Sequence, residues 1–239
     1  MASTIRLGTT TTDRRIDLYR RGFDISVSAI LVLLTLPIVL VAAAGSALAL
    51  HAWPFFSQGR IGRAGERFLF LKVRTLRPDV PGYIDKRQLD QAAIPSFCRL
   101  LRNLHLDELP QLLLVLQGKM SLVGPRPEMG YLHRRMPASF AQARTSVRPG
   151  CTGLWQISAA SSELIHESPH YDRFYLAHRT LRLDIWVLYR TALNMVGIGR
   201  CITLADVPGW TLRGDAADVI VLADGRPESA ISLPATAAR

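Results

Sequence analysis

An apolar run at residues 25–50 restricts the fold of this chain more than any other feature of its sequence. A helix needs roughly 20 residues to cross the hydrocarbon core of a bilayer, so the run is long enough. Pro37 lies near its middle and lacks the N–H that an interior helical residue donates, which predicts a kink or break there. Arginines lie on both sides of the run: Arg14, Arg15, Arg20 and Arg21 before it, and Arg60, Arg63 and Arg67 after it.

The basic flanks bear on how such a run sits in a membrane. The positive-inside rule places flanking basic residues on the cytoplasmic side, and a spanning helix violates it at one end. A re-entrant helix–break–helix enters and leaves by the cytoplasmic face, satisfies both flanks, and is favoured over a spanning helix. A cleaved signal peptide is disfavoured despite the Ala-Leu-Ala sequence at residues 47–49, because signal cores are only about 7–15 residues long.

The chain is strongly basic, with 29 Lys and Arg residues against 19 Asp and Glu residues and a formal net charge of +10. Such an excess favours a polyanionic partner, whether nucleic acid, an anionic membrane surface or a nucleotide diphosphate. A nucleic-acid-binding protein is expected to interleave basic and aromatic residues in a reader motif, and the sequence has none. Cys98, Cys151 and Cys201 lack metal-ligand spacing, which predicts reduced thiols.

An acidic pair, Asp107 and Glu108, precedes a short apolar segment. Pro110 is tolerated in the first turn of a helix and Gly118 is a stop signal, so the segment predicts a helix over residues 110–117. Unpaired N–H groups and the helix dipole favour an anion at that helix start, which predicts an ionised Asp107. The alternative is that Asp107 only caps the helix.

Arg126 lies between Pro125 and Pro127. Two prolines restrict the backbone around its planar guanidinium, which suits a side chain that meets phosphate oxygens in one geometry. The alternative is a turn arginine paired with Glu128.

The stretch from residue 58 to residue 75 predicts a β-hairpin, because a Gly-rich turn precedes the alternating sequence RFLFLKVRT. Lys72 and Arg74, two residues apart, share one strand face. Helices are predicted over residues 96–104, over 131–143, and from residue 169 onward.

Three ordered blocks of the sequence, LDELPQ, GKMSLVGPRPE and RPGCTGLWQIS, resemble the signature blocks of the bacterial sugar transferase family. The resemblance extends over about residues 14–200. It implies a monotopic phosphoglycosyl transferase that loads a sugar 1-phosphate onto a polyprenyl phosphate, with a membrane-helix break at Pro37. The implied partners are a UDP-sugar, polyprenyl (undecaprenyl) phosphate, a bilayer with anionic lipids and downstream glycosyltransferases, but no nucleic acid. The implied location is the cytoplasmic membrane, with the catalytic domain on its cytoplasmic face.

The resemblance also assigns roles to five residues. Asp107 is the expected nucleophile and a ligand of Mg²⁺, and Glu108 positions the metal or assists proton transfer. Lys72, Arg102 and Arg126 are expected to bind the substrate phosphates.

The expected fold is mainly α with a small β-hairpin (α+β), in which an N-terminal re-entrant membrane helix packs on a cytosolic helical catalytic domain. The expected division is a disordered N-terminus (1–13), the membrane helix–break–helix (14–56), the transferase domain (57–212) and a loosely ordered tail (213–239).

Four residues depart from the family pattern. Ala159 and Ala160 replace the usual Gly-Arg, which implies altered sugar or nucleotide recognition, or reduced activity. Lys119 stands where Asp is usual, and His105 where Ser is usual. An inactive relative, or a membrane-bound scaffold with a spanning helix, is therefore the alternative to an active transferase.

Overall fold

The structure is a computed structural model that describes residues 11–81 and 94–212, with side chains from Asp17 onward. The predictions for residues 1–10 and for the tail at 213–239 fall outside the described residues. The helices are α1 Thr11–Leu50, α2 Ser96–Asn103, α3 Gln111–Leu116, α4 Gly130–His133, α5 Ala138–Thr145, α6 Leu154–Ile157, α7 His170–Ala177 and α8 Leu181–Met195. The strands are β1 Phe55–Ile61, β2 Arg67–Val73, β3 Ser121–Val123 and β4 Gly150–Thr152. The predicted mainly α fold with a small hairpin is confirmed.

Helix α1 is continuous from Thr11 to Leu50 and includes Pro37. This corrects two predictions: residues 11–13 are helical instead of disordered, and Pro37 does not divide the segment into two helices. Pro37 has no N–H to donate, so the carbonyl of Leu33, four residues earlier, loses its helical partner while the helix continues. Thr35 Oγ1 donates to the carbonyl of Leu31 at 2.7 Å, and Pro37 itself is exposed.

One face of α1 lies against the rest of the domain from Asp24 to Ser46. Buried or half-buried residues recur at helical spacing on this face: Asp24, Ser28, Thr35, Val39, Ala42 and Ser46. Asp24 accepts hydrogen bonds from Ser121 Oγ at 2.7 Å and from the Leu122 N–H at 3.1 Å. Near the other end, Ser46 Oγ donates to the carbonyl of Arg74. Both halves of α1 are therefore held by polar contacts to the same domain.

The opposite face of α1 is apolar and exposed. Its exposed residues include Ile30, Leu33, Leu34, Leu36, Leu40 and Val41. Among the described residues, α1 is the one helix that is long and apolar enough to cross a membrane. Length and composition alone do not separate crossing a bilayer from lying in one leaflet.

The β1–β2 hairpin is antiparallel and runs from Phe55↔Val73 to Ile61↔Arg67, as the alternating sequence predicted, although β1 begins three residues earlier. Phe70 and Val73 are buried. A second sheet, which the sequence did not predict, pairs β3 and β4 in parallel through Ser121↔Gly150 and Val123↔Thr152. This pairing brings the sequence blocks GKMSLVGPRPE and RPGCTGLWQIS together in the main core.

The remaining helices differ from the predictions in their divisions. The helix predicted over residues 131–143 is two helices, α4 and α5, which residues 134–137 separate; Pro137 immediately precedes α5. The long helical stretch after residue 169 is likewise divided into α7 and α8, where Thr180 caps α8 by accepting from the Leu183 N–H at 3.0 Å. The predicted helix over residues 110–117 is confirmed as α3.

Gly45, in the second half of α1, lies close against Phe97 of α2. A Cβ atom at this position would lie 2.4 Å from the ring of Phe97. We expect Gly45→Leu to destabilise the protein by about 1–3 kcal/mol, because it overpacks this contact. Gly22→Leu is a matched control on the same helix, since a Cβ at Gly22 has no atom within 4 Å. Thermal unfolding in detergent measures both; equal destabilisation would contradict the assigned docking of α1.

Candidate active site

The acid pair lies in one turn of 3-10 helix, Leu106–Glu108, between α2 and α3. His105, immediately before it, has a φ of 55°, in the left-handed region that non-glycine residues seldom adopt. This conformation turns the chain sharply out of α2. Asp107 is only 4% exposed, and Glu108 is half-buried.

Glu108 forms an ion pair with Arg126 across 18 residues of sequence. Arg126 Nη2 lies 2.8 Å from Glu108 Oε1, and Nη1 lies 3.4 Å from Oε2. The guanidinium holds the pKa of Glu108 far below its usual range, although burial opposes this. The alternative prediction, a pair between Arg126 and Glu128, is not observed. The sequence could not show that the proline-flanked Arg126 joins the acid pair.

The pKa of Asp107 is raised above its usual value, first because burial removes the carboxyl from water and then because Glu108 is close. Lys72, Arg102 and His105 act in the opposite direction. The pKa of Asp107 is thus raised, whereas a position at a helix N-terminus was expected to lower it. The difference arises because α3 begins only at Gln111 and is a short helix. Asp107 is thus a buried carboxyl whose charged form depends on neighbouring cations.

Lys72 and Arg102 are the cations near Asp107. Burial lowers the pKa of Lys72, while Glu108 and Asp107 raise it. Arg102 Nη1 donates to Thr75 Oγ1 at 3.2 Å, which ties α2 to the end of the hairpin. Both side chains line a cleft of about 220 Å³.

The cleft lies beside the hairpin, and most of the charged side chains that line it are cationic. Its basic residues are Arg60, Lys72, Arg74, Arg77, Arg102, Arg126 and Arg135, and its acidic residues are Glu128 and Glu163. The structure therefore brings the three predicted phosphate-binding residues together. Asp107 and Glu108 do not line the cleft; they interact electrostatically with Lys72 and Arg126, which do.

Arg144 supports this site from α5, and the sequence did not identify it. Its Nε lies 2.7 Å from Asp172 Oδ2, and its Nη2 donates to the carbonyl of Arg126 at 2.5 Å. Arg144 and Asp172 are both buried. The pair therefore fixes the backbone of the turn that carries Arg126. A buried arginine on a short helix gives no local sequence signal of this role.

The described residues offer few side-chain ligands for Mg²⁺. Among residues 11–81 and 94–212, no group of three or more His, Cys, Asp or Glu side chains could hold a metal ion. Mg²⁺ often uses one or two carboxylates and takes its other ligands from substrate phosphates and water. Asp107 would be the carboxylate available for such a site, since Arg126 already neutralises Glu108.

Comparison with known proteins matches residues 15–197 to the family described as bacterial sugar transferase. A UDP-glucose:undecaprenyl-phosphate glucose-1-phosphate transferase of Caulobacter vibrioides is 35% identical, over 76% of this chain and 71% of that protein. The exopolysaccharide production protein ExoY of Sinorhizobium fredii is 29% identical, over 72% of this chain and 83% of that protein.

A further relative transfers a different sugar according to its name. It is the UDP-N-acetylgalactosamine-undecaprenyl-phosphate N-acetylgalactosaminephosphotransferase of Aeromonas hydrophila, 30% identical over 72% of this chain. The chain covers 42% of that longer protein.

Proposed function

Because this chain belongs to the bacterial sugar transferase family and is a transferase, we propose that it transfers a hexose 1-phosphate from a UDP-sugar to undecaprenyl phosphate and releases UMP. The observation that carries this proposal is the buried carboxyl of Asp107 beside a cleft lined by Lys72, Arg102 and Arg126. Two phosphates of a nucleotide sugar match this concentration of cations. The names of the relatives support undecaprenyl phosphate as acceptor and exopolysaccharide synthesis as the pathway class.

In the first step, Asp107 attacks the phosphorus that bears the sugar. An Asp107 oxygen bonds to this phosphorus while the bond to the bridging oxygen breaks, and UMP leaves with that oxygen. Lys72 and Arg102 favour the charged carboxylate before attack. Arg126 remains cationic beside Glu108 and can stabilise charge on the phosphoryl oxygens.

In the second step, the phosphate of undecaprenyl phosphate attacks the same phosphorus. The acyl phosphate bond breaks, Asp107 returns as a carboxylate, and the product is an undecaprenyl diphosphate sugar. Splitting the transfer in two separates the attack of the lipid phosphate from the departure of UMP. Bound Mg²⁺, held by Asp107 and the substrate phosphates, would neutralise charge between the anionic groups.

The contacts of α1 support a position in the cytoplasmic leaflet without a crossing. Asp24 and Ser46 are separated by about 33 Å along a helix, similar to the roughly 30 Å hydrocarbon core. Both residues bind the same domain, so a crossing helix would require that domain to extend through the bilayer. The apolar outer face of α1 can meet acyl chains while its polar face stays on the domain.

A single assay tests the proposed function. The purified protein is mixed with Mg²⁺, undecaprenyl phosphate and, in separate reactions, UDP-glucose, UDP-galactose, UDP-N-acetylglucosamine and UDP-N-acetylgalactosamine. We expect continuing UMP release with at least one sugar, and at most one UMP per protein molecule when the lipid is replaced by undecaprenol. Absence of UMP with every sugar would favour an inactive relative, which the residues Ala159 and Ala160 motivate.

A further inference from the structure

Three polar atoms of residues that line the cleft have no hydrogen-bond partner among the described residues. They are Arg60 Nε, Glu128 Oε2 and Trp155 Nε1, and each is closed off from solvent. Glu128 is 8% exposed and Trp155 is 4% exposed. Buried polar groups without partners are rare in proteins, and each costs about 1–3 kcal/mol. The cleft wall therefore holds two donors and one acceptor that need partners.

The rest of the Arg60 side chain is fixed. Its Nη1 donates to the carbonyl of Pro127 at 3.1 Å, and its guanidinium stacks 5.2 Å from the centre of the Phe70 ring. The backbone of the neighbouring Ile61 donates to the carbonyl of Glu128 at 2.9 Å. These contacts join the hairpin to the turn that carries Arg126, and they hold Arg60 and Glu128 in adjacent positions.

The chemistry of the three atoms separates the candidate ligand groups. A phosphate offers only acceptors at neutral pH and is repelled by a carboxylate, so it does not satisfy Glu128. A hydroxyl donates to a carboxylate and accepts from Arg60 or Trp155. The hydroxyls of a hexose in the cleft therefore match the two donors and one acceptor that Arg60, Trp155 and Glu128 leave without partners.

Both the hexose and the ribose of a UDP-hexose carry hydroxyls, and the order of groups in the molecule indicates that the hexose is the part that meets these three residues. The hexose is bonded directly to the phosphorus that Asp107 attacks, whereas the ribose and uracil lie beyond the second phosphate. Glu128 is two residues from Arg126, and Arg60 is close enough to Arg126 for their charges to repel. Arg60 and Glu128 therefore lie beside Arg126, which the proposed function places on the reacting phosphate.

We infer that Arg60, Glu128 and Trp155 form the subsite that binds the hexose hydroxyls, with Glu128 as the acceptor. This inference rests on the proposed function, because it takes the phosphate positions from it. It assigns sugar recognition to the turn after Arg126 and to the hairpin, in addition to the phosphate-binding residues.

Binding of the UDP-sugars and of UDP itself tests the inference without requiring turnover. Every protein carries Asp107→Asn, so that bound substrate does not react, and isothermal titration is performed in detergent with the four UDP-sugars above. We expect Glu128→Gln to weaken the tightest-binding UDP-sugar by about tenfold to a hundredfold and UDP by less than about twofold. Glu66→Gln is the matched control, because Glu66 is an exposed residue in the hairpin turn.

A series of deoxy analogues of that UDP-sugar sharpens the test. The Asp107→Asn protein, called the parent protein, should bind one deoxy analogue more weakly than the full UDP-sugar. The variant that also carries Glu128→Gln should bind that analogue and the full UDP-sugar equally well. The inference is overturned if Glu128→Gln weakens UDP as much as the UDP-sugar, if it weakens neither, or if no UDP-sugar binds the parent protein more tightly than UDP. The proposed function fails separately, when the protein without Asp107→Asn releases no UMP.

Discussion

Asp107→Asn is expected to lower UMP release by at least about 10⁴-fold, because an amide cannot form the acyl phosphate on which both steps depend. Radiolabelled UDP-sugar is added with Mg²⁺ but without lipid acceptor. The unmodified protein should release at most one UMP per molecule and gain the mass of a hexose phosphate, and Asp107→Asn should do neither.

The expected loss is chemical and not a loss of folding. Burial and Glu108 disfavour the charge on Asp107, so the neutral amide should leave the melting temperature unchanged or raise it. Asp79→Asn is the control, because Asp79 is exposed and does not line the cleft. If Asp107→Asn keeps turnover, or if the unmodified protein never carries the label, Asp107 is not the nucleophile.

Local patterns were sufficient to predict several elements of this protein. Pro110 and Gly118 bound helix α3 as expected, and alternating residues around Lys72 form the second strand of the hairpin. In each case the signal lies within a few residues of the element that it specifies.

Contacts between distant residues could not be predicted in the same way. Arg126 reaches Glu108 rather than its sequence neighbour Glu128, and β3 pairs with β4 from about 30 residues away. Tertiary packing determines these pairings, and the periodicity of the sequence contains no signal of them.

The buried state of Asp107 was missed for a related reason. The sequence places it before a helix, where a dipole would favour its charge. Its pKa is instead raised by burial. The turn that holds Asp107 packs against α1, β2 and α2, so this burial is a property of the assembled fold. For Pro37, the sequence likewise indicates only the lost helical hydrogen bond. It does not indicate that α1 stays continuous through Pro37.

Arg144→Met is expected to destabilise the protein by about 3–5 kcal/mol, because it leaves the buried carboxyl of Asp172 without its cation. In a domain of this size that corresponds to a fall of roughly 10 °C in melting temperature. Thermal unfolding in detergent provides the measurement. Arg134→Met is the matched control, since Arg134 is an exposed arginine nearby.

The double variant Arg144→Met/Asp172→Leu separates stability from positioning. Replacing both partners of a buried ion pair with apolar side chains is often neutral, so the double variant should regain most of the lost stability. It should not regain activity, because the carbonyl of Arg126 still lacks the donor that Arg144 supplies. We expect kcat for UMP release to stay about tenfold to a hundredfold below that of the unmodified protein. Recovery of kcat together with the melting temperature would show that Arg144 serves only folding and does not position the turn that carries Arg126.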